Sequence, residues 1–169
     1  MTSLTMLNRL FQIGDRFCQM RTLASSQGQL QRNKLKSITN WADVIQTIDT
    51  TRYVELVSKA AEKSVEVFIQ VSLDGQVHRG GALPTDLNSI ADAILATENL
   101  KLQGLMAVAP LGQEPESAFL KLAEIHQKFK SEYPSAPYLS AGMSGDYLSA
   151  ISHGATHIRV GSSILGSRS

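Results

Sequence analysis

Two glycine-bearing turns near the C-terminus hold the residues best suited to bind a ligand. Residues 140–144 read SAGMS and residues 159–163 read RVGSS, and each glycine follows a short stretch typical of a strand. Gly142 and Gly161 would let a strand turn directly into a helix, whose first N–H groups lack partners and carry partial positive charge. Two such turns side by side favour a phosphate-binding site, in which Ser144 caps the helix or presents its hydroxyl. The alternative is that both glycines only permit tight turns.

Arg159 is the second candidate for ligand binding. It lies between Ile158 and Val160 in an apolar stretch. A buried guanidinium without a partner is very costly, so Arg159 needs an anion or a good hydrogen-bond acceptor. Two structural alternatives remain: a salt bridge to a core acid such as Asp49, or a buried stem whose charged head reaches water.

The elements that position these residues alternate between strand and helix from residue 29 onward. Apolar, β-branched runs predict five strands, and i, i+3, i+4 stripes predict helices between them. This order predicts an α/β fold with a parallel sheet, either doubly wound or a (β/α)8 barrel, and barrels commonly bind phosphate after strands seven and eight. No GxGxxG follows a strand, which disfavours dinucleotide binding. The predicted strands are 44–48, 65–73, 102–108, 137–141 and 157–160, and the predicted helices are 30–38, 53–61, 87–95, 115–129, 144–152 and a short one from 161.

Composition narrows the functional classes. The 169 residues fit one domain, and 16 Lys plus Arg against 15 Asp plus Glu give a net charge of +1. So small a net charge does not favour non-specific electrostatic binding to nucleic acid or acidic lipid. Cys18 is the single cysteine, so we expect no internal disulfide and a reducing, cytoplasmic location. The longest apolar runs have the length of strands, so no membrane span is predicted.

The first 27 residues differ from the rest. This stretch carries Arg9, Arg16 and Arg21 but only one acid, Asp15. We interpret it as an atypical leader, disordered or helical, with a mitochondrial transit peptide as the alternative. Residues 24–27 (ASSQ) are not strand-like by composition.

The C-terminal segments resemble a known family. Residues 140–146 (SAGMSGD), 150–156 (AISHGAT) and 158–166 (IRVGSSILG) are similar to the C-terminal signature of the pyridoxal-phosphate homeostasis proteins, which resemble the N-terminal barrel of alanine racemase. The match runs in one register from Gly28 to the C-terminus. Further similar stretches are 28–34, 47–49, 68–72 and 104–109.

The resemblance implies a monomeric, single-domain (β/α)8 barrel that binds pyridoxal 5′-phosphate (PLP) and carries or buffers it, with no established turnover. Arg159 matches the family arginine that faces the pyridine nitrogen, where a cation weakens the ring as an electron sink. Ser162 stands where the family usually has Thr. The residues that the resemblance assigns to the cofactor are Gly142, Met143, Ser144, Arg159, Gly161 and Ser162.

Two features of the family are absent from the sequence. The covalent lysine of the first strand has no counterpart, and we expect none of the eight lysines after residue 28 to lie in a strand. The second is the full number of strand–helix units. Residues 28–169 hold five units, and the three that a complete barrel still lacks would need about 85 residues, whereas 27 precede Gly28. We therefore expect a barrel truncated to about five units, non-covalent cofactor binding at best, and self-association through exposed strand edges. The alternatives are a non-functional or partner-dependent remnant, or a phosphate-handling barrel enzyme with racemase-like chemistry, for which we find no catalytic base.

Overall fold

The computed structural model describes residues 12–13, 16–17, 23–76, 79–110 and 112–161. A two-stranded antiparallel ladder is followed by a six-stranded parallel sheet whose spatial order is the chain order, with helices between the strands. The ladder strands are Gln12–Ile13 (β1) and Arg16–Phe17 (β2), and the sheet strands are Ser25–Ser26 (β3), Val44–Ile48 (β4), Val65–Val71 (β5), Leu100–Ala107 (β6), Tyr138–Met143 (β7) and His157–Arg159 (β8). The helices are Leu35–Trp41 (α1), Thr51–Ala60 (α2), Leu87–Leu95 (α3), Pro115–Glu132 (α4) and Tyr147–Ser152 (α5).

Local sequence explains where the helices begin and end. The Thr50 hydroxyl caps α2 by accepting a hydrogen bond from the Tyr53 N–H at 3.3 Å. Pro115 occupies the first turn of α4, where its missing N–H costs nothing. Gly154 follows α5 with a φ of 89°, a left-handed conformation that glycine adopts without strain. The helix predicted from residue 161 lies outside the described residues.

The five predicted strands are confirmed, but three short strands were missed: β3, which is the sixth strand of the parallel sheet, and the ladder strands β1 and β2. Ser25 and Ser26 pair in parallel with Val44 and Ile45, so the expectation that 24–27 is not strand-like is wrong. Backbone hydrogen bonds hold this pairing: the Ala24 carbonyl accepts from the N–H of Asp43 at 2.8 Å and from the N–H of Val44 at 3.1 Å. Strand propensity mostly measures side-chain packing, and a two-residue edge strand held by its backbone escapes that signal.

A second expectation, that no lysine lies in a strand, is also wrong. β6 begins at Leu100, two residues earlier than predicted, and so includes Lys101. Glu66 of β5 pairs with Lys101, so the backbone ladder extends the strand although the Lys101 side chain is exposed. Lys101 is the second of eight residues and lies at the amino end of β6, opposite the carboxyl edge where the turns lie.

The sheet curves like part of a barrel. Gln46 of β4 and Ser140 of β7 hydrogen bond directly at 2.7 Å, although β5 and β6 lie between their strands. Neighbouring strands are about 4.8 Å apart, so a flat sheet would separate β4 from β7 by about 14 Å. The curvature and the parallel order match a (β/α)8 barrel of which six strands are present in the described residues.

The two faces of the sheet differ in composition. The face that packs on the helices, called the helix face below, buries a large apolar cluster that includes Ile45, Ile69 and Leu105. The opposite, concave face, called the inner face, holds a small separate cluster of three buried residues: Val44, Phe68 and Met106. Among the described residues, no helix has the length and apolar character that a membrane span needs.

Candidate functional site

The turn after β7 is shaped by Gly142. Its φ is 88°, and a Cβ at this position would lie 2.7 Å from the Ala150 Cβ and 2.9 Å from the Tyr147 Cα. Glycine is therefore required for α5 to pack this closely against the end of its strand. The Met143 N–H donates to the Asp146 carboxylate at 2.6 Å, so this amide is already paired within the turn.

The turns after β7 and β8 are in contact. The N–H of Gly161 donates to the Ser144 hydroxyl oxygen at 3.3 Å, as expected for turns that follow neighbouring parallel strands. A Cβ at Gly161 would have no other atom within 4 Å, so the space beside this glycine is open among the described residues. Ser162, the remaining residue predicted to hold the phosphate, lies outside the described residues.

Arg159 is held on the inner face by neutral oxygens. Its Nη1 donates to the Ser140 carbonyl at 3.0 Å and to the Ser140 hydroxyl at 2.8 Å, and its Nη2 donates to the Ala107 carbonyl at 2.8 Å. Burial lowers the pKa of Arg159 to about 10, against the attraction of Asp146, which raises it. The guanidinium therefore remains charged at neutral pH.

The suggested salt bridge between Arg159 and Asp49 is wrong. Asp49 instead accepts the N–H of Gly81 at 3.2 Å, and none of the ion pairs within the described part of the chain includes Arg159. The carbonyl of Ala107 at the end of β6, and the carbonyl and hydroxyl of Ser140 within β7, take the place of the expected acid. Asp146 attracts this cation, but because its hydrogen-bond partners are all neutral, Arg159 can still attract an acceptor group of a ligand.

A polar row on the inner face was missed by sequence reasoning. Ser140, which is fully buried, donates to the Gln46 side-chain oxygen at 2.7 Å, and Gln46 Nε2 donates to the Ser25 hydroxyl at 3.0 Å. These residues, together with Arg159, form what we call the polar row. Gln46 and Ser140 are 94 positions apart, so local sequence patterns carry no signal for the contact. The one available signal was a glutamine inside the apolar strand VIQTI.

A small cavity lies at the same carboxyl edge, at the ends of β5 and β6. It has a volume of about 180 Å³, and its lining includes Gln70, Ser72, Asp74 and Arg79. Asp74 and Arg79 form an ion pair at 2.7 Å. The Gln76 backbone N–H and Arg79 hold the pKa of Asp74 below its usual value, with burial opposing them. The sequence predicted Gln70 and Ser72 as part of the strand 65–73 and gave no sign of a cavity here.

Similarity to known proteins identifies the family of this chain. Residues 17–169 match the protein family described as the alanine racemase N-terminal domain. The chain is 36% identical over 151 residues to the pyridoxal phosphate homeostasis protein of Mycobacterium leprae, a match that covers 82% of this chain and 59% of that protein. The corresponding protein of Corynebacterium glutamicum is also 36% identical, with 83% of this chain and 68% of that protein covered.

Solved structures agree with this assignment. PipY of Synechococcus elongatus, solved with PLP bound, superposes with a TM-score of 0.76 at 28% identity, covering 84% of this chain and 69% of that one. An alanine racemase from Clostridium difficile superposes with a TM-score of 0.66 at 11% identity, covering 85% of this chain and 39% of that one, which shows a shared fold alone. The chain thus spans about three fifths of the Mycobacterium leprae relative's length. It belongs to the pyridoxal phosphate homeostasis proteins, whose barrel is of the alanine racemase N-terminal type.

Proposed function

We propose that this chain binds PLP non-covalently at the carboxyl ends of β7 and β8 and so carries or buffers the cofactor. Membership of the family supports this proposal, as does the PLP-bound structure of PipY. The single observation that carries it is the contact between Gly161 and Ser144, which joins the two turns. The non-covalent mode is part of this proposal, because none of the 169 residues matches the family's lysine motif.

The residues present fit the two ends of the cofactor. For the phosphate, the Gly161 N–H and the Ser144 hydroxyl lie together beside open space, and an entering anion would take the Gly161 N–H over from the Ser144 oxygen. Gly142 and Met143 shape the first turn, and Ser162 would add a hydroxyl to the second. For the ring, Arg159 offers a charge that stays positive at neutral pH and has only neutral partners in the sheet. When bound, the cofactor supplies an aldehyde that reacts with amines.

Gly161→Asp tests the phosphate half of the proposal. The added Cβ has no other atom within 4 Å, and Gly161 does not have a positive φ, so the variant should fold. Its carboxylate would stand where the phosphate must approach. We expect PLP affinity to fall by at least about tenfold, since like charges at close range cost more than about 1.4 kcal/mol.

The measurement is a titration of the whole chain with PLP, followed by absorbance and calorimetry. Gln127→Glu, on an exposed position of α4, makes the same change in net charge away from the turns and serves as the control. The control should bind PLP as the wild type does. Equal affinity in wild type and Gly161→Asp would place the binding site elsewhere.

The proposal also covers the cellular role of the chain, its compartment and its oligomeric state. A carrier binds and releases PLP without changing it, so amino acids mixed with the loaded protein should keep their stereochemistry. We propose the cytoplasm as its compartment on the grounds of its single cysteine. Sedimentation at two protein concentrations decides between a monomer and self-association through β3 or β8, the two edges of the described sheet.

A further inference from the structure

The polar row has a fixed direction. Arginine can only donate hydrogen bonds, so the Ser140 hydroxyl accepts from Arg159 and must use its own proton elsewhere. That proton goes to the Gln46 side-chain oxygen. The Gln46 amide is oriented in turn, because its Nε2 donates to Ser25. Each group donates to the next, from Arg159 to Ser25, and such a chain polarises its members cooperatively.

Gln46 is the member that links distant parts of the fold. Arg159 and Ser140 are on the neighbouring strands β8 and β7, whereas Gln46 and Ser25 are on the neighbouring strands β4 and β3. The Gln46–Ser140 bond crosses the inner face over β5 and β6. Gln46 is buried with 7% of its surface exposed, so water cannot readily replace its amide. Without the amide, the Ser140 proton would have no acceptor in the row, and the hydroxyl could rotate away from Arg159.

We propose that Gln46 is a positioning residue that holds Arg159 in its binding orientation through Ser140. The inference rests on the proposed function, in which Arg159 meets the ring of PLP while the two turns hold its phosphate. With the ligand so placed, Gln46 would act through Ser140 and would not itself contact the ligand. Its loss therefore weakens the contact to the ring and leaves the phosphate contact unchanged.

The test compares two probes, PLP and inorganic phosphate, on the whole chain. Gln46→Met keeps the length of the side chain and removes both amide groups. We expect its PLP affinity to fall about fivefold to tenfold, the effect of losing about one hydrogen bond, with phosphate affinity unchanged. Gln103→Met makes the same replacement on a partly buried position of β6 and should bind both probes as the wild type does.

A second measurement needs no ligand. Nitrogen-15 spectra of the Arg159 guanidinium should show restricted rotation in the wild type and in Gln103→Met, and faster rotation in Gln46→Met. An equal loss of PLP and phosphate affinity in Gln46→Met would make Gln46 merely structural and overturn the inference. Unchanged PLP affinity and unchanged rotation would overturn it as well. If the wild type binds neither probe, the proposed function fails first and this inference fails with it.

Discussion

The two faces of the parallel sheet divide stability and binding between them. On the helix face, side chains such as Ile45, Ile69 and Leu105 are fully buried in one continuous apolar cluster. On the inner face, apolar residues form only a small cluster, and the polar row occupies the surface beside it. Burial of apolar area is the dominant favourable contribution to folding. Because the helix face supplies most of it, the inner face can hold a cation and buried polar groups in fixed positions.

A bulge in β6 maintains this division. Val67 pairs with Leu102 and Phe68 pairs with Gly104, so β6 advances two residues while β5 advances one. The extra residue returns Leu105 to the helix face, and Met106 then reaches the inner cluster. Gly104 occupies the bulge with a φ of 153°, a conformation that favours glycine.

Gly104→Ala should produce the largest effect, because it disrupts the β6 bulge that determines which side chains lie on each face of the sheet. A Cβ at this position would lie 1.8 Å from the Tyr138 carbonyl oxygen, so β6 and β7 would have to separate. We expect a loss of about 4 kcal/mol or more in the free energy of unfolding. Chemical denaturation followed by circular dichroism measures it.

Gly112→Ala is the matched control. Gly112 also has a positive φ, 76°, but a Cβ there would have no atom within 4 Å. Only the backbone strain should remain, about 1 kcal/mol. If both variants lose the same amount, crowding at the bulge does not matter.

Paired truncations on the two faces should produce the next largest effect. Ile69→Ala opens a cavity in the main cluster and should cost about 4 kcal/mol, whereas Met106→Ala in the small inner cluster should cost about 2 kcal/mol. The inner cluster has fewer buried neighbours and can collapse more easily around the change. Urea unfolding curves give both values. A larger loss for Met106→Ala would reverse our assignment of stability to the helix face.

Two histidines extend the comparison to acid stability. Burial lowers the pKa of His126 on α4 and the charge of Lys130 lowers it further, whereas backbone hydrogen bonds at Pro137 and Tyr138 oppose these two effects. Its Nε2 is buried without a hydrogen-bond partner among the described residues. Burial also lowers the pKa of His157 on the inner face, but Glu66 opposes this effect. In both cases the unfolded chain binds a proton more readily than the folded chain, so stability should fall as the pH drops below about 6.5.

We expect His126→Gln to reduce this acid sensitivity more than His157→Gln does, because only His157 has a carboxylate that favours its charged form. The measurement is the denaturation midpoint of each variant at pH 7.5 and at pH 5.5. An acid sensitivity identical to the wild type in both variants would mean that other groups control it.

The features that the sequence predicted are those with a local cause. Alternation of apolar runs and stripes predicted the strands β4 to β8 and the helices between them, and Gly142 and Gly161 predicted turns at one edge of the sheet. The start of α5 was placed three residues early, at Ser144 instead of Tyr147, since Ser144 turns towards Gly161 instead of capping the helix.

The features that the sequence missed depend on contacts between distant residues. β3 exists because its backbone pairs with β4, although Ser25 and Ser26 have low strand propensity. The bond between Gln46 and Ser140 depends on the curvature of the sheet. Gly104 was part of a correctly predicted strand, but its bulge follows from the pairing with β5. The periodicity of the sequence indicates which apolar residues share one face of an element. Strand register and sheet curvature determine which residues from different elements come into contact.

The smallest effect should come from the surface of the helix layer. Lys36 and Glu62 approach to 3.7 Å with 77% of each side chain exposed. In high dielectric, such a pair gains little Coulomb energy and loses side-chain entropy, so it contributes less than about 0.5 kcal/mol. Lys36→Met should therefore change the free energy of unfolding by no more than that, and the change should vanish in high salt. Urea unfolding at low and high ionic strength measures it. A salt-independent loss above about 1 kcal/mol would mean that the helix layer depends on its surface charges, and the helix face would then owe its stability to more than apolar burial.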